Sequence, residues 1–164
     1  RYDCLQPQYS LTTRAIEREV IPLCIDQGIG VIPYSPLGGG ILTGKMRPGQ
    51  EPPEGSRAAV NPFGGNFYTE ERKLAIAAVV IEVAEMVDAS PSAVALSWCA
   101  NQPGITSPIF GARTVEQLED NLSGGDLVLD DAANARLEEA SALELEYPAD
   151  ILAMFRRMAR SGTR

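Results

Sequence analysis

The chain has 164 residues, 45% of them hydrophobic and 22% charged, which suits one globular unit with its own apolar core. Its net charge of −8 argues against nucleic acid or an anionic membrane surface as partner, because phosphate groups attract basic surfaces. With no histidine, neither a Ser-His or Cys-His nucleophile pair nor a His-containing metal site can be built.

Cys4, Cys24 and Cys99 are widely spaced and odd in number, which reads as reduced thiols of a cytoplasmic protein rather than a disulfide framework or a metal cluster. No apolar run approaches the ~20 residues of a membrane span, and the N-terminus lacks a signal-peptide layout. The expectation is a chain neither spanning nor exported, without internal repeats.

Residues 2–9 read as a strand containing Gln6, whose amide, if buried, needs a backbone or ligand partner. Ala15 to Gln27 follows as a helix with Ile16, Val20, Leu23 and Cys24 on one stripe and Gly28 as its C-terminal stop. Val31 to Tyr34 is a short apolar run bounded by Gly30 and Pro36, too short for a helix, so strand, helix and strand form a βαβ unit with parallel pairing. Ser35 to Lys45 is irregular. Gly38-Gly39-Gly40 can take positive φ and approach a ligand, and successive N–H groups beside Lys45 suit a phosphate. A glycine cluster after a strand also serves simply as a turn, and an aromatic such as Tyr34 at a strand end also serves as core.

Residues 46–67 form a long loop with Pro48, Pro52-Pro53, Asn61-Pro62 and Gly64-Gly65, which is the mark of a lid or of disorder. Thr69 is the expected N-cap of a helix whose Leu74 to Val87 portion is apolar nearly all round, so it should be covered on most sides. Ser90-Pro91 opens a second helix through Trp98 and Cys99, stopped by Asn101 to Gly104. Ile105 to Phe110 is the last strand. Gly111 breaks it, and Thr114 to Gln117 is a capping box opening a helix to Leu122. Arg113 ahead of that N-terminus makes an anion site, since dipole, N–H groups and guanidinium all favour negative charge. Capping alone for Gln117 and a solvated charge for Arg113 fit the same residues. Asp130 caps a helix to about Ala142. Pro148 to Arg160 is amphipathic, with Ile151, Leu152, Phe155 and Met158 on one face and Arg156, Arg157 and Arg160 near its end.

Several of these stretches together resemble the cofactor half of the aldo-keto reductases, in particular the branch with bacterial reductases and potassium-channel β-subunits. The matching text is Gln6 to Leu11 with Arg14 and Glu17, Gly30 to Lys45 with its three glycines, Trp98, and Gly111-Ala112-Arg113 with Gln117 and Asn121. It covers nearly all of the chain up to about Leu129.

That resemblance implies an α/β fold in which residues 1–164 are the C-terminal portion, the last three strands and their helices, of a (β/α)8 barrel; a complete barrel takes about 250 residues. It implies NADPH as cofactor and an aldehyde or ketone as substrate. The Asp, Tyr, Lys and His that perform the reduction in the family lie upstream of the Gln6 strand, so no catalytic residue is expected in this chain. Gln6 would hold the nicotinamide carboxamide, and Tyr34 would stack on one nicotinamide face. Ser35, Leu37 and Gly39 would line the pyrophosphate, with Gly44 and Lys45 in the loop above and 46–67 folding over it. Gly111, Ala112 and Arg113 would receive the 2′-phosphate ribose, and Gln117 with Asn121 would meet the adenosine. Three strands leave open edges, so an N-terminal barrel half or another chain is the expected cover. A non-catalytic, dinucleotide-responsive module like the channel β-subunits is the alternative role.

Overall fold

Prolines set the limits of the sheet. Pro7, Pro33 and Pro108 each remove a backbone donor, so long ladders cannot form where the sequence suggests three full strands. In the computed structural model, which describes residues 2–47, 49–54, 56–60, 68, 70–144 and 147–161, a regular ladder joins only β1 (Cys4–Leu5) and β2 (Gly30–Val31), in parallel. Pairing beyond it survives as single parallel bridges, Gln8 with Tyr34, Val31 with Ile105 and Tyr34 with Ile109. The three segments lie where expected and run parallel as expected, but they are shorter. Two of the prolines contribute through their carbonyls instead: Pro7 accepts from the Tyr34 N–H at 2.9 Å and Pro33 from the Ile109 N–H at 2.8 Å.

The helix expected over Ala15 to Gln27 is broken in two. A 3-10 turn, Ala15–Glu17, precedes α1 (Val20–Gln27). Pro22 explains the break, since in a helix begun at Ala15 its ring would meet the carbonyl four residues back, whereas in the first turn of α1 it is tolerated. The buried stripe shifts accordingly: Ile21 and Cys24 face the core, and Leu23 is 58% exposed. Gly28, at φ 65°, closes α1 as its C-cap.

Residues 46–67 are not wholly irregular, because α2 (Arg57–Val60) lies within them. Residues 61–67, Pro48 and the expected cap Thr69 lie outside the described residues. Next, α3 (Glu71–Met86) buries Ile76, Ala77, Val80, Val83 and Ala84, one face at helical spacing. Glu82, Glu85 and Met86 are exposed, so α3 is covered on one side rather than most. The fully enclosed helix is α4 (Pro91–Ala100), with every residue from Ser92 to Cys99 buried. It starts as the Ser90-Pro91 pair predicts: the Ser90 Oγ accepts from the Ala93 N–H at 3.0 Å.

α5 (Val115–Asp126) continues past Leu122 through Gly124-Gly125. Packing gives the reason. A Cβ on Gly124 would stand 2.8 Å from the Ala93 carbonyl oxygen and 2.9 Å from the Leu96 Cβ, so only glycine lets α5 lie this close to α4. Gly124→Val is expected to lower stability by about 3 kcal/mol, the upper range for overpacking, read as a lower urea midpoint at unchanged m. Gly125→Ala, where a Cβ meets nothing within 4 Å, should be neutral or raise stability by up to ~1 kcal/mol. Equal effects of the two substitutions would refute this account of the helix contact.

Asp130 caps α6 (Asp131–Ser141) as expected, its Oδ1 accepting from the Ala133 N–H at 2.7 Å. The final helix, α7 (Ala149–Ser161), leaves Ile151, Leu152, Phe155 and Met158 exposed. The side chains of Arg156, Arg157 and Arg160 lie outside the described residues. The core is formed where α3, α4 and α6 meet one another and the segments that follow the first two strands, around Tyr9, Leu11, Ile41, Ile76, Val80, Trp98 and Leu137. No helix among the described residues is long and apolar enough to cross a membrane.

Candidate functional site

Parallel pairing brings three strand ends to one edge of the sheet: Gln6 to Gln8, Tyr34 to Leu37, and Ile109 to Arg113. Crevices beyond the carboxyl ends of strands are where open α/β sheets take ligands. Gln6 is exposed here, so its amide does not sit on a buried strand as expected; the face it occupies is uncovered. Tyr34 is 43% exposed and its bridge partner Ile109 is 42% exposed.

After Tyr34 the backbone turns left-handed. Ser35 has φ 54°, a costly conformation for a residue with a Cβ, and Gly38, Gly39 and Gly40 follow at 59°, 70° and 107°. The glycines divide by what surrounds them. A Cβ on Gly38 would meet the Thr12 Oγ1 at 2.9 Å, and one on Gly44 would meet Pro91 at 2.8 Å, so packing within the chain accounts for both. A Cβ on Gly40 meets nothing within 4 Å, leaving that stretch open to a ligand. The expectation of successive free N–H groups is corrected: Gly38 donates to the Ser35 carbonyl and Gly40 to the Leu37 carbonyl, each at 2.9 Å, because the left-handed backbone folds the loop back on its own carbonyls. Leu37 is half-buried against the core, and Lys45 is exposed and makes no ion pair among the described residues.

At the third strand end, Gly111, Ala112 and Arg113 are exposed, and a Cβ on Gly111 meets nothing within 4 Å. Thr114 caps α5 with its Oγ1 accepting from the Gln117 N–H at 3.2 Å. Gln117 reaches back, its Oε1 accepting from the Arg113 N–H at 3.0 Å, one residue earlier than an ordinary capping box. The Arg113 guanidinium has no hydrogen-bond or ion-pair partner among the described residues. The helix end favours negative charge: the Glu116 carboxyl is held below its usual range, first by its own backbone N–H and then by the Thr114 hydroxyl. Asn121, one turn beyond Gln117, is buried at 6% exposure.

Beneath this edge lies a polar cluster to which the sequence pattern assigns no role. Arg14, 8% exposed, donates to both oxygens of Glu17 at 2.7 and 2.9 Å and to the Ser141 Oγ at 2.7 Å, and it pairs with Glu138 at 2.7 Å. Its guanidinium lies 5.0 Å from the centre of the Trp98 ring. The Trp98 indole donates to Glu138 at 2.8 Å, and the Tyr9 hydroxyl donates to Glu17 at 2.6 Å. Burial, followed by the Glu17 contact, pushes the Tyr9 phenol well above its ordinary pKa. Burial alone would lower the Arg14 pKa, but hydrogen bonds to Glu17 and Glu138 reverse that and raise it. The local Arg14-Glu17 pair at i, i+3 was visible in the sequence, but Glu138 and Ser141 lie more than a hundred residues further along.

A sequence model of the aldo/keto reductase family matches residues 1–142. Similar proteins include a candidate voltage-gated potassium channel subunit beta of Schizosaccharomyces pombe, 36% identical over 75% of this chain and 37% of its own length. An uncharacterized oxidoreductase of Bacillus subtilis is 35% identical over 76% of this chain and 36% of its own. An NADH-specific methylglyoxal reductase of Escherichia coli is 33% identical over 87% of this chain and 43% of its own. The chain therefore spans about two fifths of the length of these relatives. With more than four fifths of its residues inside the family match, the chain belongs to the aldo/keto reductase family.

Proposed function

We propose that the chain is the dinucleotide-binding part of an oxidoreductase that reduces an aldehyde or ketone to an alcohol with NADPH. In this reading it forms the last three strands, and their helices, of a (β/α)8 barrel whose preceding part completes the sheet. The observation that carries it is the uncovered sheet edge. There an exposed Tyr34 ring, a left-handed glycine loop with open space at Gly40, and an Arg113 guanidinium without a partner among the described residues, beside a helix N-terminus, stand at the ends of adjacent parallel segments.

The residues present fit a nicotinamide dinucleotide. The Tyr34 ring offers a flat apolar face for stacking and Gln6 an exposed amide for the carboxamide. Ser35, Leu37 and Gly39 would line the pyrophosphate, and Lys45 beyond Gly44 would supply positive charge to it. Gly111 and Ala112 would leave room for a ribose, with Arg113 set for its 2′-phosphate and Gln117 beside the adenosine, whereas Asn121, 6% exposed, is turned into the chain. When bound, the cofactor supplies the hydride; this chain's residues bind and orient it.

The NADH-specific relative makes cofactor choice the informative test. In the full-length protein, Arg113→Ala is expected to weaken NADPH binding by roughly 1.5–3 kcal/mol, the range for a charge-assisted contact, and to leave NADH nearly unchanged. Equal losses for the two nucleotides would sink the assignment of Arg113. A second reading, a dinucleotide-responsive subunit without turnover, has support from the relatives named as channel β-subunits. Carbonyl-dependent NADPH oxidation by the full-length protein separates the two.

A further inference from the structure

Arg14 is the most enclosed cation among the described residues, and two routes lead from it to the dinucleotide edge. The first passes through Tyr9. Its hydroxyl is held by Glu17, its ring lies 5.5 Å from the Trp98 ring, and its backbone N–H donates to the Tyr34 carbonyl at 3.3 Å. The second passes through the tight turn that precedes Arg14. Ser10 and Thr13 exchange backbone hydrogen bonds at 3.1 and 2.9 Å, and the Ser10 and Thr12 hydroxyls are 3.0 Å apart. The Thr12 Oγ1 stands where a Gly38 side chain would be, so the glycine loop rests directly on this turn. Ser10 and Thr12 are both buried, which leaves the turn little freedom to adjust.

We propose that Arg14 is a positioning residue for the dinucleotide site. Clamped between Glu17 and Glu138, it fixes Tyr9 and the Ser10–Thr13 turn, and so sets the placement of the Tyr34 backbone and of the loop seated at Gly38. The inference rests on the dinucleotide reading of the edge. Arginine is required because two carboxylates on different segments need two sides of one planar fork, which a lysine ammonium cannot present.

The test uses the full-length protein and NADP+, which does not absorb tryptophan emission. Trp98 sits inside the clamp, and the emission that Trp98→Phe removes from the full-length protein is its share of the signal. Wild type, Tyr9→Phe and Arg14→Lys are compared by titration calorimetry at a temperature where circular dichroism shows each fully folded. Arg136→Ala, which breaks the exposed Arg136–Glu82 pair, is the control. Both clamp variants are expected to weaken NADP+ binding by on the order of threefold to tenfold, the range for residues that act through a packed network, while the control binds as wild type does. NADP+ should also change Trp98 emission in the wild type, and less so in Tyr9→Phe. Wild-type dissociation constants in both folded clamp variants would overturn the inference even if their melting temperatures fall, because the cluster would then be structural only. A wild type that binds neither NADP+ nor NADPH removes the dinucleotide reading, and the inference with it.

Discussion

Purified by itself, the 164-residue chain is expected to turn over no carbonyl substrate. Reduction of a carbonyl needs a general acid within hydrogen-bond reach of the developing alkoxide, and without histidine the acid in this family's chemistry would be a tyrosine assisted by a lysine. The described tyrosines do not meet that need. Tyr9 is fully buried, already donates its proton to Glu17, and has its pKa raised by burial, which opposes any proton transfer. Tyr68 is buried at 5% exposure, and Tyr2 and Tyr147 are more than four fifths exposed. Tyr34 faces the edge where the nicotinamide would stack. Of the two lysines, Lys73 pairs with Glu70 at 2.7 Å and Lys45 stands beyond the glycine loop. The measurement is NADPH absorbance with a reactive aromatic aldehyde, on a preparation shown to be folded and monodisperse. Steady turnover abolished by Tyr34→Phe would refute the stacking role and show a complete catalytic set within these residues.

The parts of the fold legible in the sequence are those set by local chemistry. Ser90 before Pro91, Asp130 and Thr114 each place an oxygen three residues ahead of a helical N–H, and each cap is found with its hydrogen bond. Gly28 and the three parallel segments were legible for the same reason, since a left-handed stop and short apolar runs depend on near neighbours only. Where local signals competed, the stronger steric rule decided. Pro22 broke a helix that the apolar spacing extended to Ala15, and the prolines in all three segments shortened the ladders.

Burial was harder to read than position. The apolar run of α3 suggested cover on most sides, yet Glu82 and Glu85 keep one face in solvent, while α4, which carries no charged residue, is enclosed all round. Which helix lies inside depends on the neighbours stacked against it, and those come from elsewhere in the chain. At the candidate site the residue types were legible and their surroundings were not. The glycines at 38 and 44 look alike in sequence to those at 39 and 40. Only the distances to Thr12 and Pro91 separate the ones required by packing from one that faces open space.

Glu17→Ala is expected to destabilise the protein by about 3 kcal/mol, because it removes the shared partner of two buried donors. Arg14 would keep Glu138 and Ser141, which places the loss at the lower end of the 3–5 kcal/mol range for breaking a buried pair. The Tyr9 hydroxyl, fully buried, would be left without an acceptor, at a cost of about 1–3 kcal/mol within that total. Glu17→Gln should cost less, since an amide oxygen can still accept from Tyr9, but its NH2 group would face the Arg14 donors and give up the charge-assisted fork. A cycle with Tyr9→Phe isolates the hydroxyl contact: the double variant should lose less than the sum of the singles, with a coupling of about 1 kcal/mol or more. Urea unfolding measures all four proteins at once. A loss below about 0.5 kcal/mol for Glu17→Ala, within the range of an ordinary surface substitution, would mean that water replaces the carboxylate and that the cluster is not the closed, desolvated clamp its distances describe.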